Sequence, residues 1–140
     1  MKEVCLDANI YIGLYSPDEV YQKDVYAPIE EHYFTENTVH WAPSHLVSEV
    51  MHALERKCKL NRISQRELTD LQNSFLELPL VFLYDVKYHR LVLDVQKRTG
   101  LCHFDSGYLA CAIHKNILLI TRDQEIAKKG QKIYKNIQLV

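Results

Sequence analysis

The stretch Lys2-Glu3-Val4-Cys5-Leu6-Asp7-Ala8-Asn9-Ile10-Tyr11-Ile12 decides how the chain reads. A short apolar strand ends in a carboxylate, an asparagine follows two places later, and the apolar residues then fall into a helix-like pattern. With Val4 and Leu6 buried, Asp7 stands at the carboxyl end of the strand, where open parallel α/β sheets gather their ligands. The question for the remaining chain is which other acidic groups reach that edge.

Outward from this stretch, strands and helices alternate. Residues 9–15 read as a short helix. Ser16-Pro17-Asp18-Glu19 has the form of a fresh helix start, with Ser as N-cap, Pro at the first helical position and Glu placed for a capping box. That helix runs to Tyr33 or Phe34. Residues 38–42 (Thr-Val-His-Trp-Ala) are a short β-rich run, and Pro43-Ser44 starts a helix with Leu46, Val47, Val50, Met51 and Leu54 at helical spacing. Ser64-Gln65-Arg66-Glu67 is a second capping box, opening a helix to about Leu78. Residues 79–84 form a third strand, and Gly100 closes the helix that follows it. Asp105 begins another helix, with Leu109, Ala110, Ala112 and Ile113 as its apolar face. Residues 116–121 (Asn-Ile-Leu-Leu-Ile-Thr) are the most continuously apolar run, as a buried parallel strand requires. Asp123 opens a short helix ending at Gly130, and residues 132–140 alternate like an edge strand. The expectation is one domain over residues 1–140, a three-layer α/β/α sandwich around a mostly parallel five-stranded sheet.

Composition narrows the function classes. The 140 residues suffice for a sizeable core, and the formal net charge of −1 gives no general attraction to nucleic acid or membrane. Binding to either must come from local patches. Cys5, Cys58, Cys102 and Cys111 have no metal-like spacing and read as free, mostly buried thiols of a reducing compartment. No apolar run reaches membrane-spanning length, and Met1-Lys-Glu-Val enters a strand at once, leaving no room for a signal peptide. A cytoplasmic location is the expectation.

Four acids are candidates for one edge. Asp7 follows the first strand, and Asp123 follows the fourth. Asp105 begins the helix that returns to the fourth strand, and Glu49 lies about a turn into the helix after Pro43. They converge if the first and fourth strands are neighbours. Such a cluster is unfavourable without compensation, because like charges oppose one another's ionisation. A hard divalent cation resolves the conflict, and carboxylate and water ligands suit Mg2+ or Mn2+ rather than zinc. Metal-assisted phosphodiester hydrolysis is the chemistry that such a site supports. The plainer reading is that Asp7, Asp105 and Asp123 each cap a helix and that Glu49 is a solvated helical residue. Their joint placement favours the site.

Leu6-Asp7-Ala8-Asn9, Ala42-Pro43-Ser44 with Ser48-Glu49-Val50, His103-Phe104-Asp105-Ser106-Gly107-Tyr108 and Leu119-Ile120-Thr121-Arg122-Asp123 together resemble the successive motifs of a PIN domain, in particular the VapC-type ribonuclease toxins. The similarity spans essentially the whole chain. It implies a metal-dependent RNA-cleaving site on a sheet whose first and fourth strands adjoin. It also implies that Asp7 and Asp105 are the principal metal ligands and that Asp123 holds the same ion or a second one. Glu49 would bind through water or orient the nucleophile, and Asn9 and Thr121 would brace the carboxylates. A homodimer and a small antitoxin partner follow from the same resemblance. Ser106-Gly107 departs from the pattern, which more often has apolar or small helix formers there, and glycine within a helix costs about 1 kcal/mol relative to alanine.

Other features admit more than one reading. His45, Glu49 and His52 share a helical face, yet lack the metalloprotease spacing and a third ligand for zinc. Arg56, Lys57, Lys59, Arg62 and Arg66 complement a helix dipole or line a phosphate-binding rim. Arg122, beside Asp123, is a candidate RNA-phosphate contact or a partner for a carboxylate. Tyr11, Tyr15, Tyr21, Tyr26 and Tyr33 recur through the first two helices as packing, with part of that face open to a dimer or antitoxin contact. The rival functions are a housekeeping RNA-processing nuclease, a non-catalytic PIN-like binding module, and a phosphoacceptor domain using Asp85. The last would need paired acids after the first strand and a closing helix after the fifth, and this chain has neither.

Overall fold

Val4, Cys5 and Leu6 are fully buried, and so are Leu119, Ile120 and Thr121. Two strands that bury every side chain on both faces must lie inside a sheet covered on each side. A computed structural model shows that arrangement. It describes residues 1–140 with the exception of the side chains of Val20 and Tyr21, so Tyr21 of the tyrosine series lies outside the described residues.

Five strands form one sheet: β1 (Lys2–Leu6), β2 (Thr38–Pro43), β3 (Leu80–Leu83), β4 (Leu118–Thr121) and β5 (Ile137–Leu139). Their order is β3-β2-β1-β4-β5, and every pairing is parallel. The register of the central pair sets Val4 against Leu118, Cys5 against Leu119 and Leu6 against Ile120. Asp7 continues it, its N–H donating to the Ile120 carbonyl at 3.1 Å. The helices are α1 (Ala8–Tyr15), α2 (Lys23–Tyr33), α3 (Leu46–Lys59), α4 (Gln65–Leu76), α5 (Val86–Thr99), α6 (His103–Lys115) and α7 (Gln124–Gly130). From β1 the chain moves outward through β2 to β3, then crosses back to β4 and out to β5. Right-handed crossovers place helices on opposite faces for the two directions of travel. Contacts agree: α1 packs on α2 and α3, and α3 on α4, while α6 packs on α5, α7 and the inner strands. The order reverses between β1 and β4, and the crevice beyond their carboxyl ends is the binding position of a doubly wound sheet.

Several local expectations hold. Ser64 and Glu67 form a reciprocal capping box, and Gly100 closes α5 in the left-handed conformation at φ 74°. Others are corrected. Ser16 does not cap a helix: Pro17–Gln22 is a 3-10 segment, kinked at Glu19, and α2 starts only at Lys23. The Ser16 hydroxyl is buried without a partner. The cause is tertiary, because buried Lys57 of α3 draws Asp18 to 3.0 Å and Glu19 to 3.8 Å. Lys57 therefore leaves the basic stretch for an internal ion pair. Pro43 ends β2 instead of starting α3, and α4 stops at Leu76. Only Ile137–Leu139 of the final segment is a strand, because Ile133 and Tyr134 turn back onto the Gly130 carbonyl. The four cysteines are free; Cys5 and Cys111 are buried, Cys58 half-buried and Cys102 exposed. Among the described residues, no helix is long and apolar enough to cross a membrane.

Candidate active site

Asp7 is only 2 % exposed and caps α1, its Oδ1 accepting the Ile10 N–H at 3.2 Å. The Thr121 hydroxyl donates to its other oxygen. That hydroxyl also accepts the Asp123 N–H at 2.9 Å, so its one proton is directed at Asp7. A single buried side chain at the end of β4 thus ties together the acids that follow β1 and β4. Asp123 in turn caps α7, accepting from Glu125 N–H at 2.8 Å and Ile126 N–H at 3.1 Å.

Asp105 does not begin α6. Cys102 is the N-cap, its sulfur accepting the Asp105 N–H at 3.5 Å, and Asp105 is the third helical residue. This leaves its carboxylate unused as a cap, in the first turn of a helix whose N-terminus favours negative charge. Glu49 lies in the first turn of α3, where the Tyr108 hydroxyl donates to Oε1 at 2.8 Å. His45 Nε2 lies 3.3 Å from the same oxygen and 3.1 Å from the Phe104 carbonyl. A carbonyl can only accept, so Nε2 carries the proton. Burial pulls His45 down to about 4, so at neutral pH the ring is neutral, gives its one Nε2 proton to Phe104 and lies against Glu49 without an ion pair.

The electrostatics link these acids in a chain. Burial pushes Asp7 up to about 6; hydrogen bonds from Thr121, Ile10 and Arg122 oppose the rise, and the Asp123 charge adds to it. Asp105 is raised by burial first and then by the charges of Asp123 and Glu125. Glu49 is raised by burial, against the Tyr108 hydroxyl, with the Asp105 charge contributing. The Asp123 charge thus acts on both Asp7 and Asp105, and the Asp105 charge on Glu49. Among the described residues, no Lys or Arg side chain pairs with Asp7, Asp105 or Asp123. Arg122 turns away: its guanidinium bonds Gln22 and the Tyr26 hydroxyl and lies 5.3 Å from the Tyr26 ring.

An all-carboxylate set without a protein cation suits a hard divalent ion. Among the described residues, no three His, Cys, Asp or Glu side chains stand at spacing for direct joint ligation. The zinc reading of His45, Glu49 and His52 gains nothing here, since His45 is committed to Phe104 and Glu49 and His52 is exposed. Asp7, Asp105 and Asp123 therefore form no closed ligand cage, although Mg2+ keeps several waters and takes only one or two carboxylates directly. Asn9 is exposed and makes no hydrogen bond to the acids among the described residues. Sequence reasoning missed Tyr108 and the bracing role of His45. The available signal was that Tyr108 stands three residues after Asp105, on the same face of the helix.

The PIN domain family model matches residues 4–132. The chain belongs to the PIN domain family. Among solved structures, this PIN domain is similar to VapBC2 from Rickettsia felis, bound to a DNA fragment from its promoter (TM-score 0.64, 18 % identity, 99 % of this chain and 97 % of that one). It is also similar to FitAcB from Neisseria gonorrhoeae (TM-score 0.63, 13 % identity, 96 % of each chain). PAE2754 from Pyrobaculum aerophilum aligns with TM-score 0.58 and 22 % identity over 91 % of this chain and 86 % of that one. At these identities the likeness concerns the fold. None of the curated proteins compared matches the sequence significantly.

Proposed function

We propose that this PIN domain is a Mg2+- or Mn2+-dependent endoribonuclease and acts as the toxin of a toxin–antitoxin pair. The observation that carries the reading is the neighbouring of β1 and β4, with Thr121 joining Asp7 to Asp123 beside Asp105 and no protein cation among the described residues to neutralise them. Members of the family are generally nucleases, which supports the same chemistry. Asp7, Asp105 and Asp123 would hold the ion. When bound, the ion supplies neutralisation of the acids, activation of water and polarisation of a phosphodiester oxygen.

The chain's own groups account for the rest. Thr121 fixes the Asp7 carboxylate, and the α1 N-terminus holds it in place. Glu49, whose Oε1 accepts the Tyr108 hydroxyl, would bind the ion through water or orient the nucleophile. Arg122 is the proposed substrate contact, which requires it to leave Gln22 and Tyr26. The resemblance to VapC-type toxins, together with the similarity to VapBC2 and FitAcB, supports a small antitoxin partner and a homodimer.

Incubation of the purified protein with an unstructured RNA tests the activity. Cleavage is expected with Mn2+ or Mg2+, not with chelator, and is abolished in Asp7→Asn and Asp105→Asn variants that retain wild-type circular dichroism. Cleavage surviving in both folded variants overturns the proposal. Calorimetric titration with Mn2+ separates it from a non-catalytic binding module, which has no need to take up the ion.

A further inference from the structure

Phe104 is 54 % exposed although it immediately precedes Asp105. Single exposed apolar residues are ordinary, so exposure by itself carries nothing. The support behind this one is the distinguishing feature. The His45 ring packs against Phe104 with centroids 5.0 Å apart, and His45 Nε2–H holds the Phe104 carbonyl at 3.1 Å. His45 packs in turn edge-on against Tyr108 at 5.1 Å, and Tyr108 bonds Glu49. The absence of a side chain at Gly107 makes room for His45, because a Cβ there would come within 2.5 Å of its Cε1. The backbone of Phe104 is thus fixed from behind, while much of its side chain stays open to solvent beside the acids.

Charge supplies the second half of the case. The site is acidic and the chain carries a formal net charge of −1, so phosphate attraction is scarce. Arg122 is committed to Gln22 and Tyr26. Even when Arg122 is released to a phosphate, as proposed above, it is a single cation, and a polynucleotide held here gains from affinity that does not depend on charge. Base–aromatic stacking supplies it, and only an unpaired base offers its π-face.

We propose that Phe104 is a stacking platform for an unpaired base next to the scissile phosphate. The inference rests on the RNA-cleaving reading above. Phe104 positions substrate and takes no part in bond making; its ring is held by His45.

Steady-state cleavage of an unstructured RNA in Mn2+ tests it, with binding followed by fluorescence anisotropy. Phe104→Ala and Phe104→Leu are expected to raise KM about tenfold with kcat little changed, and Phe104→Trp to restore wild-type KM. Leu76→Ala, a control at an exposed apolar residue of α4, should leave KM unaltered. An RNA made abasic at the stacked position should erase the difference between wild type and Phe104→Ala. Wild-type KM in Phe104→Leu, or a difference that persists on every abasic RNA, overturns this inference and leaves the nuclease reading standing. A wild-type protein that neither binds nor cleaves RNA overturns both.

Discussion

Gly107 and His45 are matched across the α3–α6 contact: a Cβ on residue 107 would lie 2.5 Å from His45 Cε1 and 3.4 Å from the Tyr88 hydroxyl. Glycine here is a condition of close approach and not a weakness under Asp105. Helix propensity alone would make Gly107→Ala stabilising by about 1 kcal/mol. The collision reverses the sign. We expect Gly107→Ala to destabilise the protein by about 1–2 kcal/mol in urea unfolding, as overpacked core substitutions do. Cleavage should fall as well, because a displaced His45 releases Glu49 and Phe104. A more stable variant with full activity would show that His45 yields freely.

Asp7→Asn should move stability and activity in opposite directions. Burial raises the Asp7 carboxyl to about 6, and the side chain is almost wholly enclosed. Holding it ionised at neutral pH therefore costs the metal-free fold about 2–3 kcal/mol. Asparagine carries no charge; its single oxygen can keep the Ile10 bond, while its amide nitrogen replaces the oxygen that accepts from Thr121, a loss of about 1 kcal/mol that is smaller than the relief of the buried charge. In chelator at pH 7 the variant should unfold at higher urea than wild type, while its cleavage with Mn2+ falls at least about a hundredfold. Mn2+ should stabilise the wild type and not the variant.

The pH dependence of that difference follows from linkage. A carboxyl raised in the folded state binds its proton more tightly there than in the unfolded chain. Its stabilising contribution is complete below about pH 4 and is lost as pH rises through about 6. Asp105 and Glu49 are raised and act in the same sense. His45, pulled down to about 4, acts in the opposite sense and destabilises the fold as pH falls below its ordinary range. The wild-type profile is therefore a partial cancellation. The difference between Asp7→Asn and wild type isolates one group: it should be near zero at pH 4, grow through pH 6 and then level. A flat difference would mean that Asp7 titrates normally. Mn2+ affinity of the wild type should rise across the same window, because the ion competes with the Asp7 proton.

What the sequence disclosed depended on how local its causes were. The strand before Asp7 and the strand before Asp123 were legible because each is a continuous apolar run closed by an acid. The Ser64–Glu67 box was legible because both partners lie within one turn. Ser16–Glu19 shows the same letters and fails, since Lys57 captures Asp18 and Glu19 from another helix. Glu49 was legible as a candidate, but its partner Tyr108 lies 59 residues away and the helix patterns did not connect them. Gly107 was read as a departure because its reason, His45, sits on α3. The adjacency of β1 and β4 was not in the periodicity at all; it entered through the resemblance to PIN domains.

Removing Asp18 and Glu19 from Lys57 tests how the 3-10 segment is held. Lys57→Ala leaves two acids without their buried cation, a change that costs about 3 kcal/mol or more in comparable pairs. We expect a lower urea midpoint for Lys57→Ala and partial recovery in the Asp18→Asn, Lys57→Met double variant, which removes the main charge pair together. Equal losses in single and double variants would mean that the ion pair contributes only packing.

The Thr121 hydroxyl gives the sharpest test of the candidate site, because it makes two bonds that a methyl group cannot. Thr121→Val keeps the volume and the β-branch that suit a buried strand, but leaves the Asp123 N–H without its acceptor and Asp7 without its donor. An unmet buried donor costs about 1–2 kcal/mol, so a modest stability loss is expected. The informative readout is the pH–rate profile. The Thr121 bond is the largest influence holding the Asp7 carboxyl down against burial. Without it Asp7 keeps its proton to higher pH, so the acidic limb of cleavage in Mn2+ should move upward, while Thr121→Ser should retain the wild-type limb. A Thr121→Val enzyme with lower stability but an unmoved limb would reduce Thr121 to a structural residue and detach Asp7 from the titration that governs the rate.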